Sequence, residues 1–219
     1  MRRVIPLFLL FAGISILGSV LLPVGGHALE FFLFPSPELL DPTRVSAYPA
    51  PVVVTSLGTA SDFTSASNWF NSAVSLPPAT VTPITFFTLS VPRLKMQNVP
   101  VQINGSDLKK NAIHYPGTSL PGDYGNTVIF GHSALPQFYR PGNPLTIFNP
   151  LIKAKIGDDI HISYDSVSYH YSVRSITEVK PSQIEVLAQN FSRHELTLIT
   201  CTPLGTYWLR FVVRAELVK

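Results

Sequence analysis

Short runs of apolar, β-branched and aromatic residues, each bounded by Pro, Gly or Asn, recur through the second half of the chain. Such runs occupy residues 84–91, 99–103 and 126–131. This pattern is typical of short β-strands. Residues 159–164 and 168–173 alternate in character on either side of Asp165 and Ser166, which predicts a hairpin with one wetter face. The chain is therefore expected to form an all-β domain, closed as a barrel or packed as a sandwich.

The end of the chain fits the same fold class. Residues 195–201 and 208–218 predict two closing strands, joined by a turn that contains Pro203 and Gly205. The best helical candidate is residues 183–190, and it is short. We therefore expect an all-β fold with short helices.

The N-terminal segment predicts export. Arg2 and Arg3 precede residues 4–29, which contain no Asp, Glu, Lys or Arg. About 20 apolar residues span a bilayer, whereas the core of a signal peptide is about 7–15 residues long, so an uncleaved signal-anchor is favoured over a signal peptide. The two arginines favour a cytoplasmic N-terminus. We expect a single-pass protein of the cell membrane, with residues 1–30 as its membrane segment and the remainder extracytoplasmic.

Two further regions follow the membrane segment. Residues 31–84 are rich in Pro, Ser, Thr and Ala and have no sustained period, which predicts a stalk; Trp69 and Phe70 within it are candidates to dock onto the folded domain. Residues 85–219 are long enough for one catalytic domain. The formal net charge is +3 and 13% of residues are charged, without a dense Lys/Arg cluster that would follow a phosphate backbone, so nucleic acid is not an expected partner.

The chain contains one cysteine, Cys201, near the end of a predicted strand. An exported protein with one cysteine has no internal disulfide partner for it, so either a reactive thiol or a buried thiol that packs as a small hydrophobe is consistent with the sequence. A reactive thiol needs a base and a stabilised thiolate. His132 is the best candidate base because it follows an apolar strand directly, where a rigid scaffold meets a loop.

The other histidines are weaker candidates for a base. We expect His161 and His170 to lie mid-strand as ordinary barrel positions, and His114 and His194 to lie in loops. Arg210, on the strand after Cys201, is placed to stabilise an oxygen that gains negative charge, because guanidinium stays protonated and offers several donors in one plane. Arg214 has the same side-chain parity but lies further from the turn, so we expect it at a solvated rim.

Taken together, these residues resemble the sortases, the cysteine transpeptidases of bacterial cell surfaces. The resemblance lies in residues 197–201 (Thr-Leu-Ile-Thr-Cys), in Arg210, and in residues 125–132 (Gly-Asn-Thr-Val-Ile-Phe-Gly-His). It extends through Pro-Gly-Asp at residues 121–123 and Lys-Ile-Gly-Asp at residues 155–158, and it covers about residue 89 to the C-terminus. The stalk and membrane segment match only in general plan.

The resemblance implies a closed eight-stranded β-barrel. It also implies that Cys201 is the nucleophile, His132 the general acid and base, and Arg210 the ligand of substrate and oxyanion, with Thr200 and Thr202 binding substrate beside the thiol. The expected reaction cleaves a Leu-Pro-X-Thr-Gly-like sorting signal through a thioester and joins the threonine carbonyl to an amine. The expected partners are surface proteins that bear this signal and an amine acceptor, either a peptidoglycan precursor or a pilin lysine.

Class and metal dependence are less constrained. Residues 201–206 are similar to the corresponding turn of pilin-type and related classes, yet residues 41–43 (Asp-Pro-Thr) lack the aromatic residue of a pilin-type lid, so the class is left unassigned. Leu-Pro-Pro-Ala-Thr at residues 76–80 has alanine where a sorting signal has threonine, which favours a plain stalk. No cofactor is expected: zinc-ligand spacing is absent. Calcium ligands could come from Glu178, Glu185, Asp123 and Asp165.

Two other functions remain open on the sequence. A cysteine peptidase acting on wall peptides would use the same nucleophile, although such enzymes usually place cysteine before histidine in the chain. A membrane-anchored binding domain that kept the barrel without catalysis would have no need for His132, Cys201 and Arg210 together.

Overall fold

The computed structural model describes residues 63–70 and 76–218, together with Phe11, Ser15 and Ser19. The chain divides into two compact units, Met1–Thr55 and Ser56–Lys219. In the first unit the three described residues are helical. Among all described residues, no helix combines the length and apolar character that crossing a membrane requires. The rest of the predicted membrane segment, and the predicted stalk up to residue 62 and at residues 71–75, lie outside the described residues.

The second unit is built on eight strands: β1 (Phe86–Val91), β2 (Met96–Gln102), β3 (Ala112–His114), β4 (Gly125–Phe130), β5 (Asp159–Tyr164), β6 (Val167–Val179), β7 (His194–Thr202) and β8 (Leu209–Leu217). They close into a barrel in the order β1-β2-β3-β4-β7-β8-β6-β5. The β2–β3 and β4–β7 pairs are parallel and the other pairs are antiparallel. The predicted all-β, closed eight-stranded barrel is confirmed.

The helices of this unit are short 3-10 turns. They span Ala66–Trp69, Pro92–Leu94, Pro136–Phe138, Pro144–Thr146, Asn149–Lys153 and Ile184–Leu187. Four of them carry Pro at a first-turn position, where its fixed φ suits a helix start and its missing N–H costs nothing. The predicted helix at residues 183–190 is a single 3-10 turn, Ile184–Leu187, in the connection between β6 and β7.

Alternation along the strands creates two apolar clusters. Leu196 and Leu198 of β7 belong to the barrel interior, to which every strand contributes. Ile199 and Cys201 point the other way, into a second cluster on the outer face of β4, β7 and β8. Successive side chains of a strand face opposite sides of the sheet, so one strand supplies both layers. Residues 63–70 and the turn Ile184–Leu187 cover the outer cluster.

Two histidine predictions are wrong. His114 lies in β3, with 1% of its surface exposed, and His194 is the first residue of β7. Strand β3 has three residues, which is too short to give an alternating pattern, and its pairing with β2 and β4 is long-range. Sequence periodicity therefore carries no trace of it.

Strand β6 is much longer than the predicted run at residues 168–173. Its pairing with β8 shifts register between Val173 and Ser175, and such a bulge inserts an extra residue that interrupts the alternation. Beyond Val173 the strand carries polar residues on its exposed side. The alternation that predicts a strand therefore ends before β6 does. This extension matters because it places Val179 beside Arg210.

Candidate active site

Cys201 and Arg210 are direct cross-strand partners at one end of the barrel. They pair across β7 and β8, so both side chains project from the outer face. Arg210 Nη1 lies 3.7 Å from Cys201 Sγ. The arginine is fully buried and the cysteine is 1% exposed. A fixed positive charge therefore stands directly beside the thiol.

His132 lies just beyond the end of β4, the other neighbour of β7. The parallel register pairs Phe130 with Ile199, and the Gly131 N–H donates to the Ile199 carbonyl at 3.1 Å. Continuing this register by two residues places His132 opposite Cys201. The end of β4 is fixed there by two side chains: Thr200 Oγ1 donates to the Gly131 carbonyl at 2.8 Å, and Ser133 Oγ donates to the Cys201 carbonyl at 2.9 Å.

Gly131 permits a close approach that any other residue would prevent. A Cβ at this position would lie 2.4 Å from Cγ of Phe148 and 2.6 Å from its neighbouring ring atoms, which is far inside van der Waals contact. The Phe148 N–H in turn donates to the His132 carbonyl at 3.0 Å. The glycine therefore lets Phe148 pack under the strand end and hold the histidine backbone in place.

The segment of residues 63–70 covers Cys201, Arg210 and His132. The carbonyl oxygen of Trp69 accepts hydrogen bonds from Arg210 Nε at 2.9 Å and from Nη2 at 2.6 Å. The Trp69 ring is fully buried, with its centroid 6.0 Å from that of His132. Arg210 Nη1 also donates to the carbonyl of Tyr207 at 3.0 Å. Each of the three guanidinium nitrogens thus donates to a main-chain carbonyl of the protein itself.

Aromatic contacts and backbone bonds fasten the covering segment. Phe63 stacks on Tyr207 with ring centroids 4.3 Å apart, and Trp69 Nε1 donates to the Phe63 carbonyl at 2.7 Å. On the barrel side, the Leu108 N–H donates to the Thr64 carbonyl at 2.9 Å. The Arg210 guanidinium lies 5.4 Å from the centroid of the Trp69 ring, within the range of a cation–π contact.

Burial controls the protonation of the thiol. Desolvation raises the pKa of Cys201 to about 11, and the charge of Arg210 opposes this shift without overcoming it. The same burial lowers the pKa of Arg210, which the thiol partly offsets; guanidinium nevertheless remains protonated at any ordinary pH. In this covered arrangement the thiol is therefore neutral near pH 7.

Thr200 and Thr202 flank the thiol along β7 and, by alternation, face the opposite side of the strand. Thr200 is fully buried against the Gly131 carbonyl, and Thr202 Oγ1 donates to a carboxylate oxygen of Glu178 at 3.2 Å. Arg214 is half-buried and donates to the Val186 carbonyl at 3.5 Å. The structure thus brings Cys201 and Arg210 into direct contact and leaves these three side chains bonded elsewhere.

The mid-strand histidines form a pair of their own. His161 and His170 are cross-strand partners of β5 and β6, with stacked rings 4.8 Å apart, and His170 Nε2 lies 2.7 Å from a carboxylate oxygen of Asp159. Their predicted mid-strand position is confirmed. Across the described residues, no group of three or more His, Cys, Asp and Glu side chains is arranged to hold a metal ion.

The sequence matches one known family model over most of the barrel. The sortase domain model matches residues 89–218. The chain belongs to the sortase family. Among relatives, sortase A of Streptococcus agalactiae serotype III is 28% identical over 134 residues, which is 60% of this chain and 52% of that protein. The chain spans about half the length, 52% and 41%, of the curated sortases it matches.

Solved sortase structures share the fold. A lid mutant of sortase A from Corynebacterium diphtheriae superposes with a TM-score of 0.54 and 30% identity over 64% of this chain and 73% of that one. Sortase C-1 from Actinomyces oris gives a TM-score of 0.54 and 31% identity, covering 64% of this chain and 76% of that one. The resemblance seen in the sequence is confirmed.

Part of the covering segment is predicted from the sequence. Trp69 and Phe70 were expected to dock on the domain, and both are buried there. The sequence does not predict the contact of Trp69 with Arg210, because this contact runs through a main-chain carbonyl that every residue type carries. Phe63 and Tyr207 were missed entirely. Residues 41–43, compared above with a pilin-type lid, lie outside the described residues.

Proposed function

We propose that this sortase is a cysteine transpeptidase that cleaves a Leu-Pro-X-Thr-Gly-like sorting signal and transfers its threonine carbonyl to an amine. The contact between Cys201 Sγ and Arg210 Nη1 at 3.7 Å, at the point where the strand leading to His132 ends, carries the proposal. A cysteine beside a fixed cation and an imidazole is suited to acyl transfer.

In the first step Cys201 passes its thiol proton to His132, and the sulfur attacks the threonine carbonyl of the signal. The carbonyl oxygen gains negative charge, which the Arg210 guanidinium stabilises by hydrogen bonds. His132 donates a proton to the departing glycine amine as the peptide bond breaks. The products are a thioester between Cys201 and threonine and a free glycine-terminated peptide.

In the second step an acceptor amine attacks the thioester. His132 now takes a proton from the attacking nitrogen and passes it to the sulfur as the carbon–sulfur bond breaks, which restores the thiol. A new amide joins the threonine to the acceptor. By family resemblance, the acceptor amine belongs to a peptidoglycan precursor or to a pilin lysine, and the substrates are surface proteins that carry the sorting signal.

The covered arrangement is the resting form in this proposal. Arg210 cannot present its paired Nε and Nη2 donors to a substrate carbonyl while both bind the carbonyl of Trp69. The segment of residues 63–70 must therefore move before acylation, and its departure rehydrates the thiol, removing the main cause of its raised pKa. Substrate entry and thiol activation are coupled in this way.

We further propose the cellular setting from the sequence. Residues 1–30 hold the protein in the cell membrane as a single-pass anchor, residues 31–84 act as a stalk, and residues 85–219 form the catalytic domain outside the cytoplasm. This setting fits the cell-surface association of the sortase family. It would bring the thiol to exported proteins that arrive at the same membrane.

The test incubates the protein with peptides that bear sorting-type motifs, with and without an amine such as triglycine. We expect mass spectrometry to detect a thioester on Cys201 and an amide product when the amine is present. Hydrolysis that is unaffected by added amine would instead favour a peptidase. Turnover that survives Cys201→Ala would remove Cys201 from the nucleophile role.

A further inference from the structure

Asn126 is a fully buried amide at the start of β4, and each of its side-chain groups has a partner. Its Nδ2 donates to the carbonyls of Val186 and Ala188 at 3.2 and 3.3 Å, and its Oδ1 accepts from Thr197 Oγ1 at 2.7 Å. A buried amide is stable only when it is satisfied. This one binds the backbone of the connection between β6 and β7.

Gln189 lies in that connection, and its side chain binds the main chain of β4. Its Oε1 accepts from the Asn126 N–H at 3.0 Å, and its Nε2 donates to the Asn126 carbonyl at 3.1 Å. The same Oε1 accepts from Ser119 Oγ at 3.0 Å, and Nε2 donates to the Leu187 carbonyl at 3.1 Å. Each amide side chain thus holds the main chain around the other. We call this pair, Asn126 and Gln189, the amide clamp.

The clamp holds a wall of the apolar cluster that contains the thiol. Val186 and Leu187 are buried in the same cluster as Cys201, Val179 and Phe70. Their positions depend on a connection that contains one 3-10 turn, Ile184–Leu187, and lacks a side-chain N-cap bond. Such a connection has little helical stability of its own, so the clamp supplies much of what orders it.

We propose that Asn126 and Gln189 are positioning residues for catalysis, which preorganise the wall formed by Val186 and Leu187 for the apolar part of the sorting signal. This inference rests on the proposed function, since it names what the wall receives. Neither clamp residue touches the thiol, Arg210 or His132 by any described hydrogen bond. Preorganisation strengthens binding because the ordering entropy is spent before the substrate arrives.

The experiment compares Gln189→Leu and Asn126→Leu with the full-length wild-type protein. Gln189→Leu removes all side-chain bonds of Gln189. Asn126→Leu has a similar shape, introduces no charge and loses both donors to the 186–188 backbone. The matched control is Arg93→Gln, which breaks the ion pair with Asp158 at the β1–β2 turn and leaves the clamp intact.

Two measurements are made on each protein. The first is hydrogen exchange of residues 183–190, which needs no substrate. The second is steady-state kinetics with a sorting-type peptide and triglycine. For both clamp variants we expect exchange of residues 183–190 and the KM for the peptide to rise about tenfold, the factor that the loss of one or two net hydrogen bonds allows, with kcat within about twofold of wild type.

The control should lower Tm without changing either quantity. A clamp variant that lowers Tm but leaves KM and the exchange of residues 183–190 at wild-type values would overturn the inference, as would a fall in kcat at constant KM. If the wild-type protein turns over no sorting-type peptide, the proposed function fails by itself. The exchange measurement then still decides whether the amide clamp orders the segment.

Discussion

The guanidinium of Arg210 and the carbonyl of Trp69 are joined by two hydrogen bonds, at 2.9 Å from Nε and 2.6 Å from Nη2. A peptide carbonyl of the protein thus occupies the donors that, in the proposed mechanism, a substrate peptide carbonyl would need. Because both are main-chain groups of the same chemistry, that mechanism makes docking of residues 63–70 and binding of substrate compete for Arg210. The outcome of this competition depends on how strongly side chains such as Trp69 dock residues 63–70 and how strongly the substrate's own side chains bind.

Trp69→Ala should open the site. The substitution keeps the competing carbonyl but removes a fully buried ring. Truncation of a packed tryptophan costs about 3–5 kcal/mol of stability, and we expect much of this loss to weaken the docking of residues 63–70 rather than the barrel. We expect alkylation of Cys201 by iodoacetamide at pH 8 to accelerate at least about tenfold, the effect of 1.4 kcal/mol. Rehydration of the thiol, which lowers its pKa, acts in the same direction.

The control for this change is Phe86→Ala, which truncates an aromatic residue that is 46% exposed on β1. Its alkylation rate should equal that of the wild-type protein. Equal rates for Trp69→Ala and wild type would mean that residues 63–70 do not limit access to the thiol.

Arg210→Lys should impair acylation while leaving a positive charge at the site. Lysine offers no planar pair of donors, so it cannot reproduce the two bonds that Arg210 makes to one carbonyl. We expect the acylation barrier to rise by about 2–4 kcal/mol, the usual effect of losing an oxyanion donor. Single-turnover formation of the thioester is the measurement, with Arg174→Lys, an exposed arginine of β6 paired with Glu216, as the control. Unchanged acylation would refute the role of Arg210.

The sequence predicted the strands that carry Cys201 and Arg210 because both are long, apolar and bounded by turn residues. It also predicted that His132 directly follows an apolar strand, and that strand is β4. These are local patterns. The barrel brings the three residues to one end because β7 pairs in parallel with β4 and antiparallel with β8.

What the sequence could not provide is long-range or made by the main chain. The bonds from Arg210 to Trp69 cross 141 residues, and residue type does not specify a carbonyl acceptor. Gln189 and Asn126 are likewise 63 residues apart. No hydrophobic pattern around either residue distinguishes it from an amide on the surface. Strand β3, with three residues, depends on its neighbours for its conformation.

His114 should make the protein acid-sensitive. Burial lowers its pKa to about 4 from an ordinary value of 6.5, so between these values the unfolded chain binds a proton that the folded protein does not. The stability contributed is present above pH 6.5 and is lost as the pH falls towards 4. Across that interval we expect the free energy of unfolding to decrease by about 3 kcal/mol. Urea denaturation at several pH values measures it.

The comparison for this prediction is His114→Gln, which keeps a polar side chain near its partners, the Ser119 carbonyl and Thr118 hydroxyl, and does not titrate. Its stability should be lower at pH 7 and should vary less between pH 6.5 and 4. A wild-type curve parallel to that of the variant would assign the acid sensitivity to other groups.

Thr200→Val should separate two roles that its position beside the thiol allows. The hydroxyl of Thr200 donates to the Gly131 carbonyl at 2.8 Å, immediately before His132. Valine has the same shape and lacks this bond, so the strand end that carries the histidine loses one of its two side-chain fastenings, at a cost of about 1–3 kcal/mol in stability. If Thr200 positions His132, kcat should fall about tenfold at nearly constant KM. If it binds substrate, as the sequence suggested, KM should rise instead. Thr118→Val, which removes an equally buried hydroxyl bonded to the Tyr115 carbonyl at 2.7 Å, should lower stability and leave both constants unchanged.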